Sequence, residues 1–369
     1  MSVSSEESKA ALPIKRGLVF AKYGDLAAST RQRFVQAVPY LSESNLLLEI
    51  VPLFDNAYLT LLFSEGRRDR LKILKAYMRR AKALLQWRHY DFIFVQYELF
   101  PYLPGCFEAV LRLTGKPVFY DMDDAIFHQY DQHPNILIRT LLGKKLRPLL
   151  RRADIAFCGN AYLQDYAARY CAHTEIIPTT VDTSQFIPLA NKPPSNPPVL
   201  GWIGSPSTWD YCLPLLDLIS DFTDAARLSA LIVGAGHKAQ ARTNFEFCDW
   251  VEQNEIMDIQ RMDIGIMPIP DAAWARGKCG YKLIQYMACG IPVIASPVGV
   301  NSRIVQHGVN GFLASTPAEW RAAIEHLLRD AALRQRMGEA GRNMVVEHYS
   351  IQRYGPYLAE CIRGRLAQG

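Results

Sequence analysis

The segment YDMDDAIF (120–127) puts three carboxylates, Asp121, Asp123 and Asp124, into four residues just after an apolar run. An Asp-x-Asp of this kind can hold a metal ion that carries a diphosphate. The alternative is an acidic strand end whose Asp124 caps the following helix. A second segment, RGKCGYK (276–282), is a Gly-containing loop that runs straight into the helical stretch LIQYMA. Free N–H groups at a helix start, together with Arg276, Lys278 and Lys282, also suit a diphosphate. The plainer reading of that segment is a loop and helix with surface lysines. Two segments thus compete for one anion, and their places in the fold decide between them.

The elements that must position them are legible as alternating runs. GLVFAKY (17–23), LLLEIVPL (46–53), DFIFVQYE (91–98), KPVFYDMDD (116–124), ADIAFCGN (153–160) and TEIIPTTVD (174–182) read as strands separated by helical stretches, one of them around 102–114. Such alternation predicts a parallel sheet covered on both faces. PLANKPPSNPP (188–198) carries five Pro in eleven residues and reads as a linker. The pattern then restarts with VLGWIGS, LSALIVGAG, NFEFCDW, MDIGIMPI, IPVIASPVG and GFLAS, and the chain ends in strong helices. The expected architecture is α/β: two doubly wound Rossmann-like domains, 1–187 and 199–350, joined by 188–198. Ligand is expected at the carboxyl ends of the strands, facing the cleft.

Composition narrows the class. The chain has 369 residues, enough for two substantial cores. No window approaches ~20 consecutive apolar residues, so no transmembrane helix is expected. The start, MSVSSEESKAALPIKRG, lacks the apolar core of a signal peptide and reads as a short disordered lead. The eight Cys show no CxxC pair and no zinc spacing, as in a reduced cytoplasmic protein. The net charge of +5 is uneven: residues 1–190 hold 24 Lys+Arg against 19 Asp+Glu, and the remainder balances. RRDRLKILKAYMRRAKALLQWR (67–88) and RTLLGKKLRPLLRR (139–152) concentrate the excess at helical spacing, although Pro148 interrupts the second. Such helices either lie on an anionic membrane or present a solvated basic face. No recognised nucleic-acid module accompanies the charge, so nucleic acid is not an expected partner.

The stretch ARGKCGYKLIQYMACGIPVIASPVGVNSRIVQHGVNGFLA (275–314) resembles the donor-site signature of family 4 glycosyltransferases, which have the GT-B fold. IIPTTVDTSQF (176–186), LIVGAG (231–236) and the tail LLRDAALRQRMGEAGRNMVVEHYS are similar to further family segments, so the resemblance extends over almost the whole chain. It implies an acceptor-side first domain, a nucleotide-sugar donor domain and a last helix (351–369) that crosses back to the first. It also implies retaining transfer from a nucleotide-diphosphate sugar, with no metal and no further cofactor, since basic groups and helix N-termini offset the diphosphate charge.

Carried over residue by residue, Asp123 aligns with a His near the reacting sugar and Asp124 with the Asp after it, which moves the acidic triplet to the acceptor domain and makes Asp123, Asp124 and Asp121 the catalytic candidates. Arg276, Lys278, Cys279, Gly280, Tyr281 and Lys282 then form the diphosphate loop. They are joined by Gly24 after the first strand and by Gly204, Ser205, Ser207 and Thr208 of GWIGSPSTWDY (201–211). The family usually has two Glu here, facing the donor sugar and the ribose; this chain has Gly277 and Gln285. Gln can still hydrogen-bond hydroxyls. Trp250 packs on the nucleobase or is a half-buried core residue. Arg31 and Arg33 follow on a helix, and Gln96 and Glu98 end a strand, all on the acceptor side. The expected acceptor is a glycan or lipid-linked glycan in polysaccharide or glycolipid synthesis, reached from the cytoplasm at the inner face of a membrane. Two other readings share the fold: a nucleotide-sugar 2-epimerase, and a non-catalytic homologue that binds a glycan or partner.

Overall fold

The structure, a computed structural model, describes residues 12–368 except 67, 68, 194, 240 and 243. The polar lead lies outside the described residues except for its last few, and so do the first two of the basic stretch at 67–88.

Among the described residues, twelve strands form two six-stranded sheets in which every pair is parallel. The first holds β1 (Lys15–Tyr23), β2 (Leu46–Phe54), β3 (Phe92–Gln96), β4 (Val118–Met122), β5 (Ile155–Cys158) and β6 (Thr174–Ile176), in the order β2-β1-β3-β4-β5-β6. The second holds β7 (Val199–Ile203), β8 (Ser229–Val233), β9 (Phe245–Cys248), β10 (Ile264–Met267), β11 (Val293–Ala295) and β12 (Gly311–Leu313), in the order β12-β11-β10-β7-β8-β9. Each sheet is doubly wound, as the alternating runs predict. The strand order reverses between β1 and β3 and again between β7 and β10, and the crevice above such a reversal is where α/β sheets take ligand.

Among the described residues, the chain between β6 and β7 has no helix or strand. Val181 within it bridges to Ser350, and the last helix, Ile351–Leu366, starts there. That helix lies on the first sheet's layer. Ile351, Leu358 and Ile362 join Val19, Phe94 and Phe157 in one apolar cluster, and Arg365 pairs with Asp154.

Three local expectations change. The strand at 174–182 is only Thr174–Ile176. The helix around 102–114 is a short turn, Cys106–Ala109, continued by a 3-10 stretch. The stretch 139–152 is two helices, Ile136–Leu142 and Arg147–Arg152. Pro148 stands in the first turn of the second, where its missing N–H costs nothing, so it starts a helix there.

Candidate active site

The ends of β4 and β5 meet the loop before the helix Tyr281–Ala288. Gly280 enters that helix with φ of 68°, a left-handed conformation that glycine adopts without strain. Asn160, after β5, caps its own helix through Oδ1 to the Leu163 N–H. Its Nδ2 donates to the carbonyls of Gly277 and Lys278 at 3.0 and 3.1 Å. The Cys279 thiol donates to the carbonyl of Asp123 at 3.0 Å. A Cβ on Gly277 would lie 2.4 Å from Cβ of Ala125, so no side chain fits where the family has its first Glu. The loop 277–279 is therefore seated on the acidic strand end.

The acidic triplet divides among three partners. Asp121 accepts from Arg33 Nε at 3.0 Å and from Arg33 Nη2, while Arg33 Nη1 holds the carbonyls of Ile177 and Pro178. Burial works against the guanidinium, but the Asp121 carboxylate keeps it charged, well above its ordinary range. The catalytic expectation for Asp121 and the acceptor-side one for Arg33 are thus corrected to a buried ion pair that braces the site. Asp124 does not cap the following helix: both its oxygens face Lys278 Nζ, at 3.0 and 3.2 Å. Asp123 stands between them with Oδ1 buried and without a hydrogen-bond partner. Burial, reinforced by the charge of Asp124, pushes its carboxyl up to about 7; Arg33 and a hydrogen bond with Tyr97 oppose the shift. Among the described residues, no His, Cys, Asp or Glu group of three converges as a metal site would.

The lysines of the loop differ. Burial opposes the charge of Lys278, but Asp124 outweighs it and raises the pKa. Lys282 has no carboxylate partner among the described residues. Its Nζ lies 3.4 Å from Thr208 Oγ1 and over the Trp202 ring. Burial, then the charge of Lys278, lowers it to about 8. A half-buried ammonium with no carboxylate partner, beside a hydroxyl and a helix start, can hold an anion. The segment Gly204–Thr208 adjoins it. The Gly204 N–H closes on Val233, the Ser205 and Thr208 side chains form a capping box, and Ser207 reaches Ser205 Oγ at 2.9 Å. Arg276 departs from expectation: it faces outward and pairs with Asp271 at 2.7 Å.

Other expected residues are engaged elsewhere. Gly24 closes its loop on Phe54 and lies against Asn56. Arg31 crosses from the first sheet's layer to stack on Trp250, 4.5 Å from the ring centroid, while Trp250 Nε1 donates to Glu255. Gln96 is buried and accepts from the Lys22 N–H. Glu98 is buried against Lys145 at 2.6 Å and Tyr130, so neither Gln96 nor Glu98 faces an acceptor. Gln285 is buried with Nε2 unpartnered, and Tyr281 Oη and Gln32 Oε1 are also orphaned. Sequence reasoning missed Asn160, Tyr97 and Glu255. Of these only Asn160 had a signal, a helix-capping Asn directly after a strand.

Comparison with known proteins bears on the fold. Residues 197–330 match the family model described as Glycosyl transferases group 1. N-acetyl-alpha-D-glucosaminyl L-malate synthase of Bacillus anthracis is 34% identical over 76 residues, which is 20% of this chain and 20% of that protein. Sucrose-phosphate synthase from Thermosynechococcus elongatus superposes with a TM-score of 0.71 at 15% identity, over 96% of this chain and 100% of that one. Anabaena HepE, solved with UDP and glucose, also gives 0.71, at 16% identity over 95% of this chain and 100% of that one. WaaG, a glycosyltransferase involved in lipopolysaccharide biosynthesis, gives 0.64 at 13% identity over 95% and 100%. The fold is GT-B, as the resemblance implies.

Proposed function

We propose that this chain is a group 1 glycosyltransferase that moves a sugar, with retention, from a nucleotide-diphosphate donor to a hydroxyl of a glycan or lipid-linked glycan. The observation that carries the reading is the pairing of Lys278 with Asp124, at the end of β4, beside Lys282, which has no carboxylate partner among the described residues, next to the reversal point of the second sheet. In this reading Lys278 exchanges Asp124 for the diphosphate. Lys282, the Gly204–Thr208 segment and the helix start at Tyr281 complete the anion site. Developing negative charge on the leaving diphosphate is stabilised there by groups already in place. Orphaned Gln285 takes the ribose hydroxyls, and Asp123 faces the reacting sugar. The two lysines supply the positive charge, so neither a metal nor another cofactor is required. The UDP bound in the HepE structure supports a nucleotide diphosphate as ligand. The setting is the cytoplasm, at the inner face of a membrane; no helix among the described residues is long and apolar enough to cross one.

A second reading, a non-catalytic homologue that binds a glycan or partner, is favoured by one observation: Ala125 fills the space of any side chain at Gly277. A thermal-shift panel of nucleoside diphosphates separates the two, because a ligand bound only by the folded state raises its stability. The transferase reading expects stabilisation by at least one nucleotide, lost in Lys282→Ala. Silence from the whole panel leaves the non-catalytic reading.

A further inference from the structure

Tyr97 directly follows β3 and has φ of 63°. The Glu98 N–H donates back to the carbonyl of Gln96 at 2.7 Å, so Tyr97 is the centre of a γ-turn. A γ-turn with positive φ is the rare, strained kind, and a bulky side chain adds to the strain. Tyr102, at the far end of the same loop, has φ of 57°. Strained residues persist where their surroundings over-determine them, and they gather at functional sites.

The surroundings here are side chains from distant elements. The Tyr97 N–H donates to the carbonyl of Asp121 at 2.9 Å, and the Tyr120 hydroxyl donates to the carbonyl of Tyr97 at 2.7 Å. Further along, Glu108 accepts from the N–H groups of Leu99 and Phe100. Lys145 donates to the carbonyl of Phe100 at 2.7 Å, and Tyr77 to that of Pro101. Tyr120, Glu108 and Lys145 are all buried. So much buried polar structure spent on one loop points to what that loop presents.

It presents the Tyr97 hydroxyl. β3 pairs with β4 in the register Gln96 to Asp121, so Tyr97 leaves its strand beside the end that carries Asp123. The groups that face Asp123 are Asp121 and Asp124 of its own segment, Arg33, Lys278, Cys279 and Tyr97. Arg33 is committed to Asp121 and Lys278 to Asp124, and the Cys279 thiol meets the main-chain carbonyl of Asp123. Of this set, Tyr97 is the donor left to hydrogen-bond the Asp123 carboxyl. Burial and the nearby carboxylates hold its hydroxyl protonated, so it donates.

We propose that Tyr97 is a positioning residue: the strained turn after β3 aims its hydroxyl at Asp123 and fixes how that carboxyl faces the reacting sugar. The sugar rests on the transferase reading; the contact between the two side chains does not. A donated hydrogen bond favours the ionised carboxyl, and so works against the burial and the Asp124 charge that push Asp123 up.

The test is Tyr97→Phe, which keeps the ring and the turn and removes the hydroxyl. Carbon-13 NMR of the full chain, labelled at its aspartate carboxyls, reads the titration of Asp123 without any substrate. Loss of the signal in Asp123→Asn assigns it. The midpoint should rise by about one unit in Tyr97→Phe. The pH midpoint of sugar transfer should rise with it, and kcat should fall about tenfold while the donor KM holds. Tyr120→Phe, which releases the carbonyl of Tyr97, should move the titration the same way by less. An unmoved Asp123 midpoint in Tyr97→Phe would overturn the proposal, and an unmoved one in Tyr120→Phe would overturn the part played by the turn. A raised midpoint in a chain whose wild type transfers no sugar would uphold the contact and tell against the transferase reading alone.

Discussion

Lys278 Nζ lies 3.0 Å from Asp124 Oδ1, and the two residues belong to different sheets' layers, 154 positions apart. The pair ties an acidic strand end to the loop that opens the helix Tyr281–Ala288. It joins the two candidate anion sites of the sequence into one, with the carboxylate holding the lysine that a diphosphate would claim.

From that competition follows the first prediction. Asp124→Asn frees Lys278, so a nucleoside diphosphate should bind a few-fold more tightly, and Lys278→Ala should abolish sugar transfer with the fold intact. Titration calorimetry of both variants checks the opposite signs. Weaker binding by Asp124→Asn would count against the exchange.

Asp123 predicts a pH dependence. Its carboxyl is raised to about 7, above its unfolded value, so its contribution to stability is full below the unfolded pKa and is lost as pH rises through about 7. Asp123→Asn should therefore raise Tm at pH 8 relative to wild type and leave it little changed at pH 4. Transfer by wild type should show an ionisation near pH 7, and Asp123→Ala should abolish transfer without unfolding the protein. Resistance of wild-type transfer to EDTA would accord with a charge supply from lysines alone.

Truncation of Asp121 should cost stability that truncation of Asp123 does not. Removing one partner of a buried ion pair leaves the other uncompensated, at a cost of about 3–5 kcal/mol. Arg33→Ala and Asp121→Ala should each lower the urea midpoint strongly, whereas Asp123→Ala should not. Equal stability in all three would refute the division of roles within the triplet.

Gly277→Ala tests the seam. The new Cβ would stand 2.4 Å from Cβ of Ala125 and 2.8 Å from its backbone N, and the seated loop cannot absorb that. The loop should lift away, losing the Asn160 hydrogen bonds. Small-angle scattering should then report a larger radius of gyration. Asn160→Ala should move it the same way by a smaller amount.

Much of the fold was written locally. All twelve strands coincide with apolar runs, because a buried parallel strand needs little more than a short stretch of β-forming residues. The helix start at Gly280–Tyr281 was equally plain from its glycine and the apolar run behind it. The resemblance at 275–314 then pointed to the candidate donor-site residues that follow β10.

The partners of charged residues were not written locally. Nothing near Asp121 announces that Arg33, 88 residues earlier, will claim it, or that Lys145 will take Glu98 from 47 residues away. Arg31, Arg276 and Trp250 have the types and neighbours of ligand contacts, yet Glu255 and Asp271 engage them. By itself the sequence determined the elements, the switch of pattern at 188–198 and the chemistry available. The tertiary structure decided which charges cancel and which stay free, since long-range pairing depends on how two sheets close on each other. That closure left Asp123 Oδ1 without a hydrogen bond and, among the described residues, Lys282 without a carboxylate partner.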